Sequence, residues 1–285
     1  MIKKGNTGKN HYLKKHNWRY RLTHPFHKER WFVFFNLIIV ISTVIISVID
    51  FIYGTSGGQN GFSVQGWNYF MPFTIISNIL MAIASAMALI KLIRHNYQAR
   101  YLANKNTKVF DRRFTNFYYM ASVSLNLTAV TVALFLAPFR FINGEDGLSM
   151  FLNDMFFFHF INPILATYSI LYLFSGDRIN QTSRLLCFIP PSFYSVVYVT
   201  HVLIIHDWSD FYNFTFGGNY ALAVVSAVVN IAAIYTIATL FANVYNRRLT
   251  KEPLSKITLP IINLTKTVKD KLVCYNKHEE NKNAF

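Results

Sequence analysis

Six stretches of this chain are apolar almost without interruption, and each is long enough to cross a lipid bilayer as a helix. They run from Trp31 to Tyr53, Tyr69 to Ile93, Phe114 to Phe139, Met150 to Phe174, Leu185 to Ile205 and Tyr220 to Tyr245. About twenty helical residues, rising about 1.5 Å each, span a hydrocarbon core of roughly 30 Å. None of the six breaks into the alternating segments of about ten residues that mark a transmembrane β-barrel. The expected fold is therefore all-α, a polytopic integral membrane protein built as a six-helix transmembrane bundle. Composition agrees: 53% of the 285 residues are hydrophobic and only 14% are charged, against roughly a quarter charged in soluble domains.

The charge that remains is segregated. The chain has 28 Lys+Arg against 13 Asp+Glu, a formal net charge of +15. Of those basic residues, 27 fall before the first span, in the second-to-third connection counted from Lys91 to Arg113, between spans four and five, or after span six. The opposite loops carry only Arg140, together with the acidic Glu145, Asp146, Asp207 and Asp210. Lys and Arg next to spans stay on the cytoplasmic side, so both termini are expected there, in a cell membrane. Three regions follow: a basic N-terminal segment 1–30, the transmembrane domain 31–245, and a basic tail 246–285. In the tail Ile261, Leu264, Val268 and Leu272 recur at helical spacing among lysines, which predicts an interfacial helix over 261–275.

Several function classes drop out. The first apolar run is about twice the length of a signal-peptide core and lacks a small-x-small cleavage pattern, so it is read as an uncleaved span. No glycine-rich nucleotide-binding pattern is present, and the two cysteines, Cys187 and Cys274, have neither disulfide-framework nor zinc-site spacing. No cofactor and no metal are expected. The basic ends are split between two tails, which fits attraction to an anionic lipid leaflet and not a nucleic-acid interface. Nothing in the sequence sets an oligomeric state.

Polar groups inside a bilayer cost a few kcal/mol when ionisable, so those retained there mark candidate sites. The ionisable set is Asp50, Asp154, His159 and His201, and the uncharged set is Thr74, Ser77, Asn78, Ser122, Asn126 and Asn230. Counted from the ends of their spans, Thr74, His159 and His201 lie roughly 8, 13 and 7 Å deep, all in the outer half. Thr74, Asn78, Ala82 and Ser85 form one face of span two, and His159, Asn162, Pro163 and Ala166 one face of span four. Tyr194, Tyr198 and His201 share a face of span five. Asp154 is rotated about 140° from His159 and is not expected to orient it. Pro163 deprives the His159 carbonyl of its helical partner, which predicts a local distortion there. For Ser77, Asn126 and Asn230 the expected role is interhelical hydrogen bonding.

The segments Phe73-Thr74-Ile75-Ile76-Ser77-Asn78 and His159-Phe160-Ile161-Asn162-Pro163, set on spans two and four, resemble motifs of bacterial six-transmembrane proteins. These are related to the androgen-induced, FAR-type membrane proteins of animals. The resemblance covers the order of all six spans and two short motifs, while Ile164 to Tyr168 lacks the Asp-Trp pair of many bacterial members. It implies an intramembrane threonine hydrolase acting on fatty acyl esters, with Thr74 and His159 as its catalytic residues.

The chemistry is intelligible from the residues themselves. A hydroxyl becomes a nucleophile when a neutral imidazole accepts its proton. An oxyanion then needs donors, for which Asn78, one turn from Thr74, is the nearest sequence candidate. Asn126, Asn162, Tyr198 and His201 complete the supporting set. The rival expectation is a non-enzymatic transporter or membrane scaffold in which buried His and Asp bind a ligand or protons. A weaker one places a metal at His201, His206, Asp207 and Asp210, although their spacing matches no standard site.

Overall fold

A computed structural model describes residues 25–54, 65–101, 109–144, 146–210, 212 and 220–250. The segment before residue 25 and the tail beyond residue 250, with its expected helix over 261–275, lie outside the described residues.

Six helices are each long and apolar enough to cross a membrane. They are α1 (Pro25–Tyr53), α2 (Phe73–Tyr101), α3 (Arg112–Ile142), α4 (Asn153–Leu173), α5 (Gln181–Ile205) and α6 (Tyr220–Thr250). Among the described residues there is no strand. The molecule is an all-α integral membrane bundle, and its surface shows why. On α1 Ile41, Val44, Ile45, Val48, Ile49 and Ile52 all face outward, as do Leu222, Val224, Val225 and Val228 on α6. A continuous apolar belt of this kind is stable only against acyl chains.

The interior is organised around α3, whose Tyr118, Tyr119, Ala121, Val123 and Leu125 are fully enclosed. α3 packs against α2, α4 and α6, and α1 closes the bundle against α2 and α4. Ala84 and Ala88 on α2 and Ala238 and Ala242 on α6 are wholly buried. Small residues at these contacts let backbones approach closely, the usual route to helix association where lipid and core are equally apolar. At the end of the bundle that carries the basic loops, the Phe174 ring stacks on Phe110 and on Tyr118, both at 4.7 Å between centroids.

Two spans start later than the sequence expectation, and a backbone constraint explains each. Span two does not begin at Tyr69. Residues Gly66–Phe70 form a 3-10 turn, the Met71 N–H closes on the Asn68 carbonyl, and the Pro72 carbonyl accepts the first amides of α2. Pro72 has no N–H to continue a helix from Tyr69 but suits a helix start. Thr74 is consequently in the first turn of its helix and not a full turn below the top. Span four likewise begins at Asn153 and not at Met150, which sits in the 3-10 turn Gly147–Phe151. The reversal uses a left-handed Asn153 at φ 54°, a conformation that asparagine tolerates better than most residues.

Proline also reshapes the helix interiors. Pro138 and Pro163 each follow a π-turn, Val132–Leu136 and Phe157–Ile161. Each proline leaves the carbonyl four residues earlier without an amide partner, and a wider turn lets the chain pass. The expected distortion at Pro163 takes this form, and it places His159 inside the widened turn.

Candidate active site

Thr74 and His159 meet. The threonine Oγ1 lies 3.3 Å from the His159 Nε2, and both side chains are 5% exposed. The other ring nitrogen, Nδ1, is 2.5 Å from the Met150 carbonyl oxygen. A carbonyl can only accept, so Nδ1 must carry the proton of the neutral ring, and Nε2 is left with a lone pair aimed at the threonine hydroxyl. The Thr74 hydroxyl, the imidazole and a backbone carbonyl thus stand in one line, the arrangement that a nucleophile, its base and an orienting group require. Asp154, five residues before His159 and rotated away from it along the helix, is not the group on Nδ1.

Close packing places that carbonyl. A Cβ on Gly147 would stand 2.4 Å from the Ala137 carbonyl oxygen and 2.8 Å from the Phe141 ring. Only glycine lets the 3-10 turn settle onto the end of α3. The same turn presents the Phe151 ring edge-on to His159, with centroids 6.2 Å apart.

The Thr74 backbone is held equally firmly. Its carbonyl accepts from Ser77 Oγ at 3.0 Å and from Asn78 Nδ2 at 2.9 Å. Ser77 also reaches Thr128 Oγ1 on α3 at 3.0 Å. Asn78 Nδ2 approaches the Phe158 carbonyl at 3.4 Å, and its Oδ1 accepts from Asn162 Nδ2 at 2.9 Å. Asn162 in turn accepts from Ser42 Oγ at 2.9 Å and donates to Thr43 at 3.3 Å. Asn78 and Asn162 therefore brace α1, α2 and α4 behind the pair. The Asn78 amide is turned to the Thr74 carbonyl and not to the space before its hydroxyl, a geometry that favours bracing over the oxyanion role weighed from sequence.

Of the remaining candidates, Asn126 and His201 make their bonds apart from the pair, while Tyr198 lines one cavity with Thr74. Asn126 Oδ1 accepts from Thr167 Oγ1 at 2.8 Å and ties α3 to α4. His201 bonds Asp207 at 2.9 Å and stacks on Trp208 at 4.4 Å, so it anchors the chain after α5 away from Thr74. Tyr198 donates to Asp210 Oδ1 at 2.6 Å. Among the described residues no group of three or more His, Cys, Asp or Glu is placed to hold a metal. Asp50 is buried, and its carboxyl meets that of Asp154.

A cavity of about 370 Å³ opens beside Thr74, bounded by α3, α5 and the first part of α6. Its walls are mainly aliphatic and aromatic, among them Leu127, Val132, Leu136, Val202, Leu203 and Ile234, with Thr128, Thr131 and Asn230 as polar points. The volume falls in the range of about 300–1,000 Å³ usual for small-molecule sites. Thr74 lines this space, and His159 reaches it through Thr74. Val199 and Leu203 on α5 and Ile231 on α6 line the cavity and are also exposed at the bundle surface. The space therefore reaches the face that lipid covers.

Sequence reasoning could not supply two neighbours of the pair. The Met150 contact is made by a backbone carbonyl, which no side-chain pattern announces. Tyr212, whose hydroxyl accepts the Phe73 N–H at 2.8 Å, comes from a loop far along the chain. No protein-family model, curated protein or solved structure matches the chain.

Proposed function

We propose that the chain is an intramembrane hydrolase of lipid acyl esters, with Thr74 as nucleophile and His159 as general base. The observation that carries this reading is the line from Thr74 Oγ1 to His159 Nε2 at 3.3 Å and from Nδ1 to the Met150 carbonyl at 2.5 Å, set at the wall of an apolar cavity. A lipid ester enters from the membrane between α5 and α6 with its acyl chain along the cavity. Thr74 Oγ1 attacks the ester carbonyl carbon as its proton passes to Nε2. Collapse of the tetrahedral adduct breaks the bond to the alcohol, which leaves with the proton from the imidazolium. Water then attacks the acyl-threonine, gives a proton to the same nitrogen, and releases the fatty acid.

The basic-residue asymmetry supports placing both tails on the cytoplasmic side, which sets Thr74 and His159 toward the outer leaflet. The deciding experiment treats purified protein with a fluorophosphonate probe and maps the adduct. Modification at Thr74, lost in His159→Ala, supports the hydrolase. No adduct, together with no turnover of fatty acyl esters, overturns it and returns the buried polar residues to a binding or transport role.

A further inference from the structure

The reaction just described develops negative charge on the former ester carbonyl oxygen, and Asn78 is not turned to meet it. The first turn of α2 and the chain after α5 hold a better-placed donor. Tyr212 lines the cavity with Thr74. Its hydroxyl oxygen accepts the Phe73 N–H at 2.8 Å, which seats it beside Thr74 at the start of α2. Two contacts fix its approach: the Tyr212 N–H donates to Tyr198 Oη at 3.3 Å, and Tyr198 is itself tied to Asp210 at 2.6 Å. The Tyr212 ring also packs on Tyr198, with centroids 5.5 Å apart.

Proton accounting sets the direction of each bond. His159 Nδ1–H is committed to the Met150 carbonyl, so Nε2 only accepts and the Thr74 proton goes to it. The threonine oxygen is then an acceptor toward Tyr212. Resting on the hydrolase reading, we infer that Tyr212 is the oxyanion donor, its O–H passing from the Thr74 oxygen to the substrate oxygen as the tetrahedral adduct forms. Attack turns the lone pair of Oγ1 into the new C–O bond, so Tyr212 loses its acceptor at the step in which the oxyanion appears on the adjacent carbon. The Phe73 N–H, at the positive end of α2, polarises the phenol toward donation. Burial pushes the Tyr212 hydroxyl up to about 12, so it keeps the proton it must donate. The assignment also explains why Thr74 belongs in the first helical turn: there the nucleophile, the Phe73 amide and a loop hydroxyl converge.

The test compares Tyr212→Phe with parent protein and Thr74→Val in hydrolysis of a p-nitrophenyl fatty acyl ester, together with binding of a boronate that forms a tetrahedral adduct. Loss of one oxyanion donor lowers kcat by about 10²–10³-fold. KM should stay within about twofold, and boronate affinity should fall in parallel with kcat. Unchanged kcat in Tyr212→Phe beside an inactive Thr74→Val overturns this inference alone. Parental turnover in Thr74→Val overturns the hydrolase reading and this inference with it. Should Tyr212→Phe fail to fold, 3,5-difluorotyrosine at 212 keeps the ring and hydroxyl. A changed kcat at constant KM then supports donation, and an unchanged kcat overturns it.

Discussion

Thr74 differs from several other buried hydroxyls of this bundle in where its proton goes. Ser77, Ser122, Ser124 and Thr128 each donate to a carbonyl three or four residues earlier in the same helix. That is the ordinary way a hydroxyl satisfies itself in a membrane helix. Thr74 instead faces an imidazole nitrogen. Thr74→Val removes the oxygen and keeps the shape, so acyl-ester turnover should vanish while stability falls by only about 1 kcal/mol. His159→Ala should lower kcat by about 10²–10⁴-fold, and the double variant should lose little more than Thr74→Val alone, because the two act as a unit. Turnover and thermal unfolding of the three purified variants check both statements. Independent losses that multiply in the double variant would separate the two residues.

At the scale of elements, the start of α4 is built to aim one carbonyl. The Gly147–Phe151 turn lies against α3, the left-handed Asn153 redirects the chain, and the π-turn before Pro163 sets the ring of His159. Gly147→Val puts side-chain atoms where Ala137 and Phe141 already stand. It should cost about 1–3 kcal/mol by overpacking and displace Met150. A shift of about 1 Å in an orienting contact can cost about a hundredfold in rate, so activity should fall more steeply than stability. Parental kcat in a folded Gly147→Val protein would show that the Met150 contact does not matter.

At the scale of the whole molecule, the loose association of α5 with α6 makes the cavity. α6 packs on α3 and on the far end of α4, α5 packs on α3 and α2, and α5 and α6 meet at the start of α5, where Arg184 donates to Asn243. Ala227 lines the space between them. Ala227→Phe should fill part of it, lowering kcat/KM for long-chain esters by roughly tenfold or more and sparing acetyl esters. Equal effects on both substrates would remove the cavity from substrate binding. Membrane orientation is tested separately, in a Cys274→Ser background with Cys187 buried in the core. Cysteines placed at the exposed Leu148 and Ser209 should react with an impermeant thiol reagent added to intact cells. Protection of both would invert the bundle and move Thr74 and His159 to the inner leaflet.

The six spans, their order and the all-α class were legible along the chain because they depend on a local quantity, apolar length measured against bilayer thickness. The helix faces were legible too: Thr74, Asn78, Ala82 and Ser85 are all buried on α2, as their spacing required. Helix starts were less so, since Pro72 and Asn153 act through backbone geometry that hydropathy does not register. The approach of Thr74 to His159 across 85 residues, the Met150 carbonyl on Nδ1, the turning of Asn78 toward backbone and the Tyr212 hydroxyl over the first turn of α2 were settled only by the tertiary structure. Each depends on how helices rotate and stack against one another, and several are made by backbone atoms, which are the same at every position of a sequence.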